Sequence, residues 1–431
     1  MLRNSLKPEN NPHFLFIHAW GGKFLAELTE AERRELEFFR RITVLSHEQA
    51  TTLPYLTYLL AAEGMNVIRL EDPVKGDPNR RVGEPALGED RMYTYYLPNN
   101  LGKKAITLNL ASEEGREILK ELIRKLNVDI FATNTLPKRY KKLGIDYETL
   151  RSVKKDLIWV GITGFGPESD EPAYDPILQA RCGYMEITGE KEGPPMVFGV
   201  PIVDLGASLI AYGQVMKALY KRAITGEGCR IDISMFQGAV SLLVNPIMMT
   251  VDFGKKITRK GNTHEFFAPV SVYPAKDGYV YIAVGNDRQW EAITKLPGFE
   301  HLYSKDYETN AGRIADVQNL NRKLSEATRK FTVEELLNMF NRIGVPISKI
   351  NTIEEVARDP HISKYMITAE DPKTGKTIHL PPPPTLTAYL KSTGFRMSFP
   401  PRMGEHNEEI YCGILGYSKE RFEELRRKGI I

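Results

Sequence analysis

One aspartate, Asp204, occupies a position where a carboxylate could do chemistry. It lies in GVPIVDLGASLIAYGQVMKAL, between an apolar run and an amphipathic helical pattern. Aspartate is a preferred helix N-cap, and capping is one interpretation of this position. A carboxylate held at a helix N-terminus can also attack a thioester and form a mixed anhydride. The sequence leaves both interpretations open, because one side chain can cap a helix and also react.

Two basic segments carry the positive charge that a phosphate-containing ligand needs. The first is KKAITLNL, which opens with Lys103 and Lys104 at a predicted strand. The second is LPKRYKKLG, with the cations Lys138, Arg139, Lys141 and Lys142. A solvated helix face or strand edge is the ordinary alternative for each side chain. RNA is a competing ligand, but a net charge of only +3 and the lack of an aromatic RNA-binding motif argue against it.

The motifs of several common enzyme classes are missing. There is no G-x-x-x-x-G-K-[ST] phosphate loop, no H-E-x-x-H and no G-x-S-x-G. The segment GITGFG has the spacing G-x-x-G-x-G, which favours a tight turn with close backbone approach over a dinucleotide site. The eight histidines and the cysteines Cys182, Cys229 and Cys412 lack metal-ligand spacing. We therefore predict no metal site and no disulfide framework.

The elements that position these residues alternate between strands and helices. Short apolar runs are separated by helical periodicity, which predicts parallel strand pairing and a doubly wound α/β sheet. Ser112 is a predicted N-cap, and Gly64 a predicted helix stop. The predicted strands are 42–47, 66–71, 105–110, 128–133, 156–163 and 230–235. Helices are predicted at 28–40, 175–188, 205–222 and 418–428, with a long apolar helix from 235 to about 250.

Two domains are predicted after an N-terminal extension. Residues 1–40 form the extension, a polar stretch that leads into a charged helix. Residues 41–250 form the large doubly wound domain. The pattern then changes to two β-rich runs around an Asp-Gly hairpin signal, so residues 265–365 are predicted to form a smaller α+β domain. Residues 366–431 contain an extended tetraproline segment and a charged final helix.

The composition is that of a globular protein. Of 431 residues, 42% are hydrophobic and 26% are charged. The first apolar run, residues 14–17, is too short for the core of a signal peptide. No stretch approaches the roughly 18 apolar residues needed to span a bilayer. We therefore predict a cytoplasmic protein that binds neither membranes nor nucleic acids.

Several ordered segments resemble the family III CoA-transferases, which include formyl-CoA and carnitine CoA-transferases. The resemblance covers roughly residues 42–420. Its strongest segments are LSHEQATTLPYLTYLLAAEGMNVIRLEDPVKGDPNR, NNLGKKAITLNLASEEGREIL and GFGPESDEPAYDPILQARCGYMEITGEKEGPPMVFGVPIVDLGASLIAYGQVMKALYKRAITGEGCRIDISMFQGAV. Shorter matching segments are YPAKDGYVYIAVGNDRQW, GVPISKINTIEEVARDP and MGEHNEEI.

This resemblance implies a function, a fold and an assembly. Asp204 matches the family's catalytic aspartate, which carries first the acyl group and then CoA. Gln49, beside His47, matches the residue thought to support the thioester oxyanion. Coenzyme A is then a substrate, delivered as an acyl-CoA with succinyl-CoA a common donor, and no permanent cofactor or metal is implied. The family fold is a Rossmann-like large domain and a small domain, with a final return to the large domain. Its interlocked dimers imply a homodimer here, with a heteromer as an alternative.

The resemblance also implies a set of residues that contact CoA. The G-D-x-x-R element is present as Gly76, Asp77 and Arg80. The implied CoA-binding residues are His47, Gln49, Arg80, Lys103, Lys104, Leu108, Asn109, Asn134 and Lys142. Two departures weaken parts of this carry-over. Asp72 stands where the family often has arginine, and RKGNTH stands in place of the glycine-rich loop of the formyl-CoA branch.

Three alternatives remain open. An acyl-CoA racemase needs a histidine before the aspartate of a G-H-D motif, and this sequence has Ala173, Tyr174 and Asp175 there. Tyrosine is a poor base near neutral pH, which argues against racemisation. A subunit of a heteromeric CoA-transferase is the second alternative. A non-catalytic CoA-binding module, in which Asp204 would only cap a helix, is the third.

Overall fold

The computed structural model describes residues 28–431, so the first 27 residues of the predicted extension lie outside the described residues. The described chain divides into two compact units. The first unit comprises residues 28–182, 199–244 and 360–431, and the second comprises residues 183–198 and 245–359. The predicted domain boundaries stay a prediction. They did not anticipate that Gly183–Phe198 groups with the second unit.

Strands of the described chain form three sheets. The strands are β1 (Thr43–His47), β2 (Asn66–Glu71), β3 (Lys103–Thr107), β4 (Ile130–Thr133), β5 (Ile158–Thr163), β6 (Cys229–Ser234), β7 (Val270–Pro274), β8 (Tyr279–Ala283), β9 (Ile347–Lys349), β10 (Ile367–Glu370) and β11 (Thr377–Leu380). The first unit contains the six-stranded sheet and the β10–β11 hairpin, and the second contains β7, β8 and β9.

The α-helices follow in chain order. They are α1 (Glu30–Arg40), α2 (Thr52–Ala62), α3 (Glu113–Lys125), α4 (Tyr140–Leu143), α5 (Tyr147–Val153), α6 (Asp175–Arg181), α7 (Tyr184–Ile187), α8 (Ile202–Thr225), α9 (Met235–Val240), α10 (Val244–Val251), α11 (Asp287–Ile293), α12 (Asn310–Ala315), α13 (Val317–Thr328), α14 (Val333–Arg342), α15 (Ile353–Arg358), α16 (Ala388–Ser392) and α17 (Lys419–Arg427). A π-helical segment spans Glu409–Ile414.

The large sheet has the order β3-β2-β1-β4-β5-β6, and its strands are parallel throughout. The prediction of a doubly wound parallel sheet is therefore confirmed. Chain order runs outward in opposite directions from β1 and β4, which makes the gap between these two strands the topological switch point. In such sheets ligands bind outside the carboxyl ends of the strands at this point.

Local signals explain how helices cover the sheet. The Ser112 hydroxyl accepts the Gly115 N–H at 2.9 Å and caps α3, as predicted. The buried face of α3, including Leu119 and Leu122, joins the core cluster that contains Phe131 and Trp159. Burial of this apolar stripe is what holds the helix against the sheet.

Close backbone packing explains the GITGFG segment. A Cβ on Gly161 would lie 2.6 Å from the Trp159 ring, and one on Gly164 would lie 2.5 Å from the Ala173 Cβ. Both distances are far below van der Waals contact. The prediction of close backbone approach is therefore confirmed for this segment.

The final segment of the chain covers the open edge of β3. The Asn407 side chain accepts the Thr107 N–H at 2.9 Å, and the Tyr411 hydroxyl donates to the Thr107 carbonyl at 2.7 Å. The Asn109 N–H donates to the Ile430 carbonyl at 2.7 Å. These bonds satisfy backbone groups that an edge strand would leave unpaired.

Helix α8 differs from expectation in its length. By length and composition alone this 24-residue helix would suffice to cross a membrane, although no stretch of that kind was predicted. Its contacts within the first unit include α2, α6, α9, β5 and β6, and 39% of its most apolar 18-residue window is buried. Helices of globular proteins that pack against a sheet in this way pass the same test of length and composition, so the test alone does not indicate a membrane span.

The second unit is a small antiparallel sheet with helices. β7 and β8 form the predicted hairpin, and β9 adds a third strand that the sequence did not reveal. Trp290, Phe299 and Phe340 lie in its core. The prediction of a single apolar helix from 235 to about 250 is wrong, because the structure has two helices there, α9 and α10.

Candidate active site

The carboxyl ends of β1 and β4 bring three predicted site residues together. His47 ends β1 and is in register with Thr133, the last residue of β4. Gln49 follows β1, and Asn134 follows β4. The Asn134 side chain accepts the Gln49 N–H at 3.1 Å and donates to the Gln49 carbonyl at 2.8 Å. The backbone of Gln49 is therefore clamped at the switch point, while its side chain is exposed.

The residue after Gln49 is held in an unusual conformation. Ala50 has φ of 62°, in the left-handed region that side chains other than glycine rarely adopt. Its N–H donates to Asp77 Oδ1 at 3.1 Å. Residues held in this region occur preferentially at functional sites, because the surrounding structure must enforce them.

His47 is half-buried beside this loop. Its Nδ1 lies 3.0 Å from the Thr135 hydroxyl. Burial and the nearby charge of Arg139 lower the pKa of His47 to about 4. The ring is therefore neutral near pH 7, and it can offer a hydrogen bond but not a positive charge.

Asp204 is the third residue of α8 and is not its N-cap. The N-cap is Pro201, which makes no side-chain capping bond. The cap is supplied from another helix, because Asp175 Oδ2 accepts the N–H groups of Val203 at 2.7 Å and of Asp204 at 3.1 Å. Gln179 donates to the other Asp175 oxygen at 2.5 Å. The capping interpretation of Asp204 is wrong, and its carboxylate is left available for chemistry.

The Asp204 carboxylate receives a hydrogen bond from the Thr52 hydroxyl, at the start of α2. Ser208 ties the same two helices together, since its hydroxyl lies 2.6 Å from the Thr52 carbonyl and 2.8 Å from the Asp204 carbonyl. Burial raises the pKa of Asp204 to about 6, the Thr52 bond opposes this, and the charge of Asp175 adds to it. Raised carboxyl pKa values are typical of functional sites.

Arg80 and Lys103, both predicted to contact CoA, lie in a buried ion cluster. We define the ion cluster as Glu48, Arg69, Glu71, Asp77, Arg80 and Lys103, all less than 5% exposed. Arg80 binds Glu71 in bidentate fashion at 2.6 and 2.7 Å. Lys103 Nζ donates to Glu48 at 2.8 Å and to the Pro54 carbonyl at 2.9 Å. Both cations are already paired, which leaves them unsuited to direct contact with a phosphate.

Lys104, Leu108 and Asn109 lie along or just after β3. Lys104 pairs with Glu409, and the Leu108 side chain is in the core. The Asn109 side chain accepts the Ala111 N–H at 3.0 Å and donates to the Gly429 carbonyl at 3.3 Å. Lys142 is exposed in α4. The structure thus joins Gln49 and Asn134 directly and places His47 at the end of the same pair of strands, while the remaining predicted residues have other partners.

Three residues of the site were missed from the sequence. Thr52, Asp175 and Ser208 contact Asp204 or fix its helix, and each is distant from it in sequence or hidden within a helical pattern. The dipeptide Asp-Pro at 175–176 was a usable signal, because proline is tolerated in the first turn of a helix. Tyr174, which replaces the racemase histidine, is 74% exposed. Between residues 28 and 431, no group of three or more His, Cys, Asp and Glu side chains could hold a metal.

Comparisons with known proteins show which family this chain matches. The model of CoA-transferase family III matches residues 40–407. Human succinyl-CoA:glutarate CoA-transferase is 30% identical over 424 residues, covering 97% of this chain and 95% of the relative. Acetyl-CoA:oxalate CoA-transferase of Acetobacter aceti is 34% identical over 71% of this chain and 79% of its own. The crystal structure of a CAIB/BAIF family protein from Brucella suis is 31% identical, with a TM-score of 0.74 over 86% of this chain and 98% of its own.

Proposed function

This chain belongs to CoA-transferase family III, and we propose that it transfers CoA through covalent intermediates on Asp204. It is a CoA-transferase whose substrates are acyl-CoA thioesters and carboxylic acids. One observation carries the proposed intermediate. A partly buried carboxylate, with a raised pKa and no ion pair to any cation of residues 28–431, projects from the first turn of a helix capped by another residue. Such a carboxylate is poorly solvated and hence a better nucleophile.

The proposed reaction begins with Asp204 Oδ2 attacking the thioester carbon. A bond forms between this oxygen and the acyl carbon, the carbon–sulfur bond breaks, and CoA leaves as thiolate. The thiolate then attacks Cγ of the mixed anhydride, which releases the donor acid and leaves CoA as a thioester on Asp204. The acceptor carboxylate repeats both steps in reverse order, so that acyl-CoA leaves and the Asp204 carboxylate is regenerated. No net proton or electron is consumed.

Gln49 is proposed to support the oxyanion on the substrate thioester during the steps at the substrate carbon. Its clamped backbone and exposed side chain are suited to this role. His47, neutral because of its low pKa, is proposed to add a hydrogen bond. Preorganised donors of this kind act without reorganisation when charge develops.

Proposed CoA contacts divide into direct and indirect ones. Asn134 and Lys142 are proposed to face CoA, at the edge where parallel sheets bind ligands. Leu108 and Asn109 are proposed to act indirectly, since their N–H groups already donate to the carbonyls of Glu71 and Ile430. Arg80 and Lys103 are proposed to act indirectly, since both are buried and ion-paired. Lys104, paired with partly exposed Glu409, is proposed as an outer contact.

The acids exchanged are proposed to be short dicarboxylates. The relatives that act on succinyl-CoA and glutarate, and on acetyl-CoA and oxalate, all take a dicarboxylic acid as one partner. Succinyl-CoA is therefore the first donor to test, with glutarate and oxalate as acceptors. The cytoplasmic location stays a prediction.

A homodimer is proposed as the working form. In the first unit, α8 exposes Leu209, Ile210, Tyr220 and Ile224. Several large apolar side chains exposed on one helix often mark an interface. Sedimentation at micromolar concentration tests the proposal, and a monomer would contradict it. A partner found only by co-purification would instead favour the heteromer.

Intact-protein mass after incubation with succinyl-CoA tests the covalent mechanism. We expect a CoA-sized adduct that maps to Asp204 and is absent from Asp204→Ala. Asp175→Asn changes the neighbouring carboxylate, which supports the helix of Asp204 but is not the proposed nucleophile, and it should still form the adduct at pH 8. Absence of an adduct together with proton exchange at the α-carbon would support a racemase. Absence of both would support a binding module or a missing subunit.

A further inference from the structure

We propose that Thr52 is a further catalytic residue, whose hydroxyl stabilises the oxyanion formed on Asp204 itself. The inference rests on the proposed function, because it requires Asp204 to carry acyl groups. It concerns the two middle steps of the reaction, in which the carbon under attack belongs to the enzyme and not to the substrate.

The placement of Thr52 supports this role. Its hydroxyl donates to Asp204 Oδ1, and Thr52 is only 6% exposed. The hydroxyl also lies 3.8 Å from Met235 Sδ, a weak acceptor. The Thr52 proton is therefore directed at the carboxylate. The Thr52 carbonyl is held in turn by the Ser208 hydroxyl at 2.6 Å, so the donor is preorganised.

The Thr52 hydroxyl does not serve to cap its own helix. A side-chain cap comes from the residue that precedes a helix, and Thr52 is the first residue of α2. At α2 the N-cap Thr51 makes no side-chain capping bond, and Thr52 points its hydroxyl to another helix. Helix α2 is thus left without a side-chain cap while the Asp204 carboxylate gains a donor.

The two Asp204 oxygens have different roles in the proposed reaction. When Oδ2 has formed the anhydride, Oδ1 is the carbonyl oxygen on Cγ. Attack by CoA thiolate forms the sulfur–Cγ bond and moves the carbonyl electron pair onto Oδ1, which becomes an oxyanion beside Thr52. Collapse of this intermediate breaks the Cγ–Oδ2 bond and releases the donor acid. Attack by the acceptor carboxylate on the Asp204–CoA thioester places the same charge on the same oxygen.

Two different carbons thus need two different donors. Gln49 is proposed to serve the carbonyl of the substrate, and Thr52 serves the carbonyl of Asp204. The Thr52 hydroxyl also gains from its burial, because a hydrogen bond to developing charge is stronger in a poorly solvated environment.

The test follows discharge of the preformed adduct. Wild type, Thr52→Val and Thr52→Ser are loaded with CoA from succinyl-CoA, freed of excess reagent and mixed with succinate. Loss of CoA mass from the protein and formation of succinyl-CoA are followed in a single turnover. Asp204 is a thioester at the start and has no proton to lose, so a change in its pKa does not affect this rate.

We expect Thr52→Val to discharge about 100-fold more slowly than wild type, the effect of removing one oxyanion donor. Thr52→Ser should recover most of the rate. Thr225→Val, at the far end of α8, is the control for removing a hydroxyl and should match wild type. Unfolding midpoints of the variants show whether folding is intact, which we expect because valine and threonine have the same shape.

Three outcomes would overturn the inference. Equal discharge rates for Thr52→Val and wild type would show that the hydroxyl does not act on the enzyme's acyl group. A rate for Thr52→Ser as low as that for Thr52→Val would assign the effect to shape. Failure of wild type to form any adduct would overturn the proposed function and this inference with it, and that failure is visible before any variant is compared.

Discussion

We define the Asp204 corner as Thr52, Asp175, Asp204 and Ser208. The ion cluster and the Asp204 corner both contain buried or partly buried carboxylates in the first unit, but the partners of these carboxylates differ. In the ion cluster, Glu48, Glu71 and Asp77 are paired with Lys103, Arg69 and Arg80, so the charges balance. At the Asp204 corner, two carboxylates, Asp204 and Asp175, face hydroxyl, amide and backbone donors. The first arrangement compensates every negative charge and the second compensates none with a cation.

The pKa values reflect this difference. Burial alone would raise the pKa of Glu71, but the charges of Arg69 and Arg80 lower it to about 2. Burial raises the pKa of Asp204 to about 6, because only Thr52 opposes it. A carboxylate held by cations is stable and unreactive, whereas one deprived of them is destabilised and hence available as a nucleophile. The fold therefore separates rigidity and reactivity within one unit.

The largest effect is expected at Asp204. Asp204→Asn should lower CoA transfer by at least about 10³-fold, since it removes the nucleophile. The same change should leave the protein equally stable or more stable, by up to about 1 kcal/mol at pH 8, because a buried charge without a cation is removed. Steady-state transfer assays and urea unfolding measure the two effects. A marked loss of stability would show that Asp204 also serves the fold.

The opposite pattern is expected in the ion cluster. Glu71→Gln should destabilise the protein by about 3–5 kcal/mol in urea unfolding, because it leaves Arg69 and Arg80 undercompensated in the interior. The control is Arg81→Gln, which removes the exposed pair of Arg81 with Asp90 and should destabilise the protein far less than Glu71→Gln. Similar losses of unfolding free energy in both variants would mean that the ion pairs of the cluster contribute no more to stability than an exposed pair does.

The pH dependence of adduct formation and of stability should also distinguish the Asp204 corner from the ion cluster. Adduct formation needs the Asp204 carboxylate, so its rate should rise about tenfold per pH unit up to a limb near pH 6 and then level off. The raised pKa also means that the contribution of Asp204 to stability is complete below its unfolded pKa, near 3.8, and is lost as the pH rises through about 6. Glu71 has the opposite sign, and its contribution is lost as the pH falls through about 2.

Asp175→Asn sharpens this pH prediction. Removing the charge of Asp175 should move the limb of adduct formation to lower pH, because that charge helps to raise the pKa of Asp204. Stopped-flow or quenched mass measurements across pH 4–8 detect the change. A limb that stays in place would assign the raised pKa to burial alone.

The sequence predicted the sheet because its strands are contiguous apolar runs, which is what buried parallel strands require. The predicted range of β3, residues 105–110, lies too far toward the carboxyl end, since the strand is Lys103–Thr107. The strand begins with Lys103 and Lys104, and their burial depends on tertiary partners that local patterns do not show. The prediction of one helix in place of α9 and α10 overlooked Pro246. This proline lies in the first turn of α10, where proline commonly begins a helix.

The site was harder to predict for a different reason. The resemblance supplied Asp204 and Gln49, but the bond that defines the Asp204 environment joins residues 152 positions apart. Likewise the Asn134 clamp spans 85 positions. Periodicity and capping rules act over a few residues, so partners of this kind become visible only when the fold brings them together. Lys103 looked like a phosphate ligand for the same reason, since its partner Glu48 lies 55 positions away.

The smallest expected effect tests whether the left-handed conformation of Ala50 helps to orient Gln49. Ala50→Gly should stabilise the protein by less than about 1 kcal/mol, because glycine accepts a positive φ but also gains freedom in the unfolded chain. Asn127→Gly, at another left-handed residue beyond α3, is the matched control. If the strain helps to orient Gln49, Ala50→Gly should lower the rate of adduct formation several-fold while Asn127→Gly leaves it unchanged. Equal rates in both variants would show that the left-handed conformation of Ala50 does not affect adduct formation. It would then serve the bond of Ala50 to Asp77 in the ion cluster.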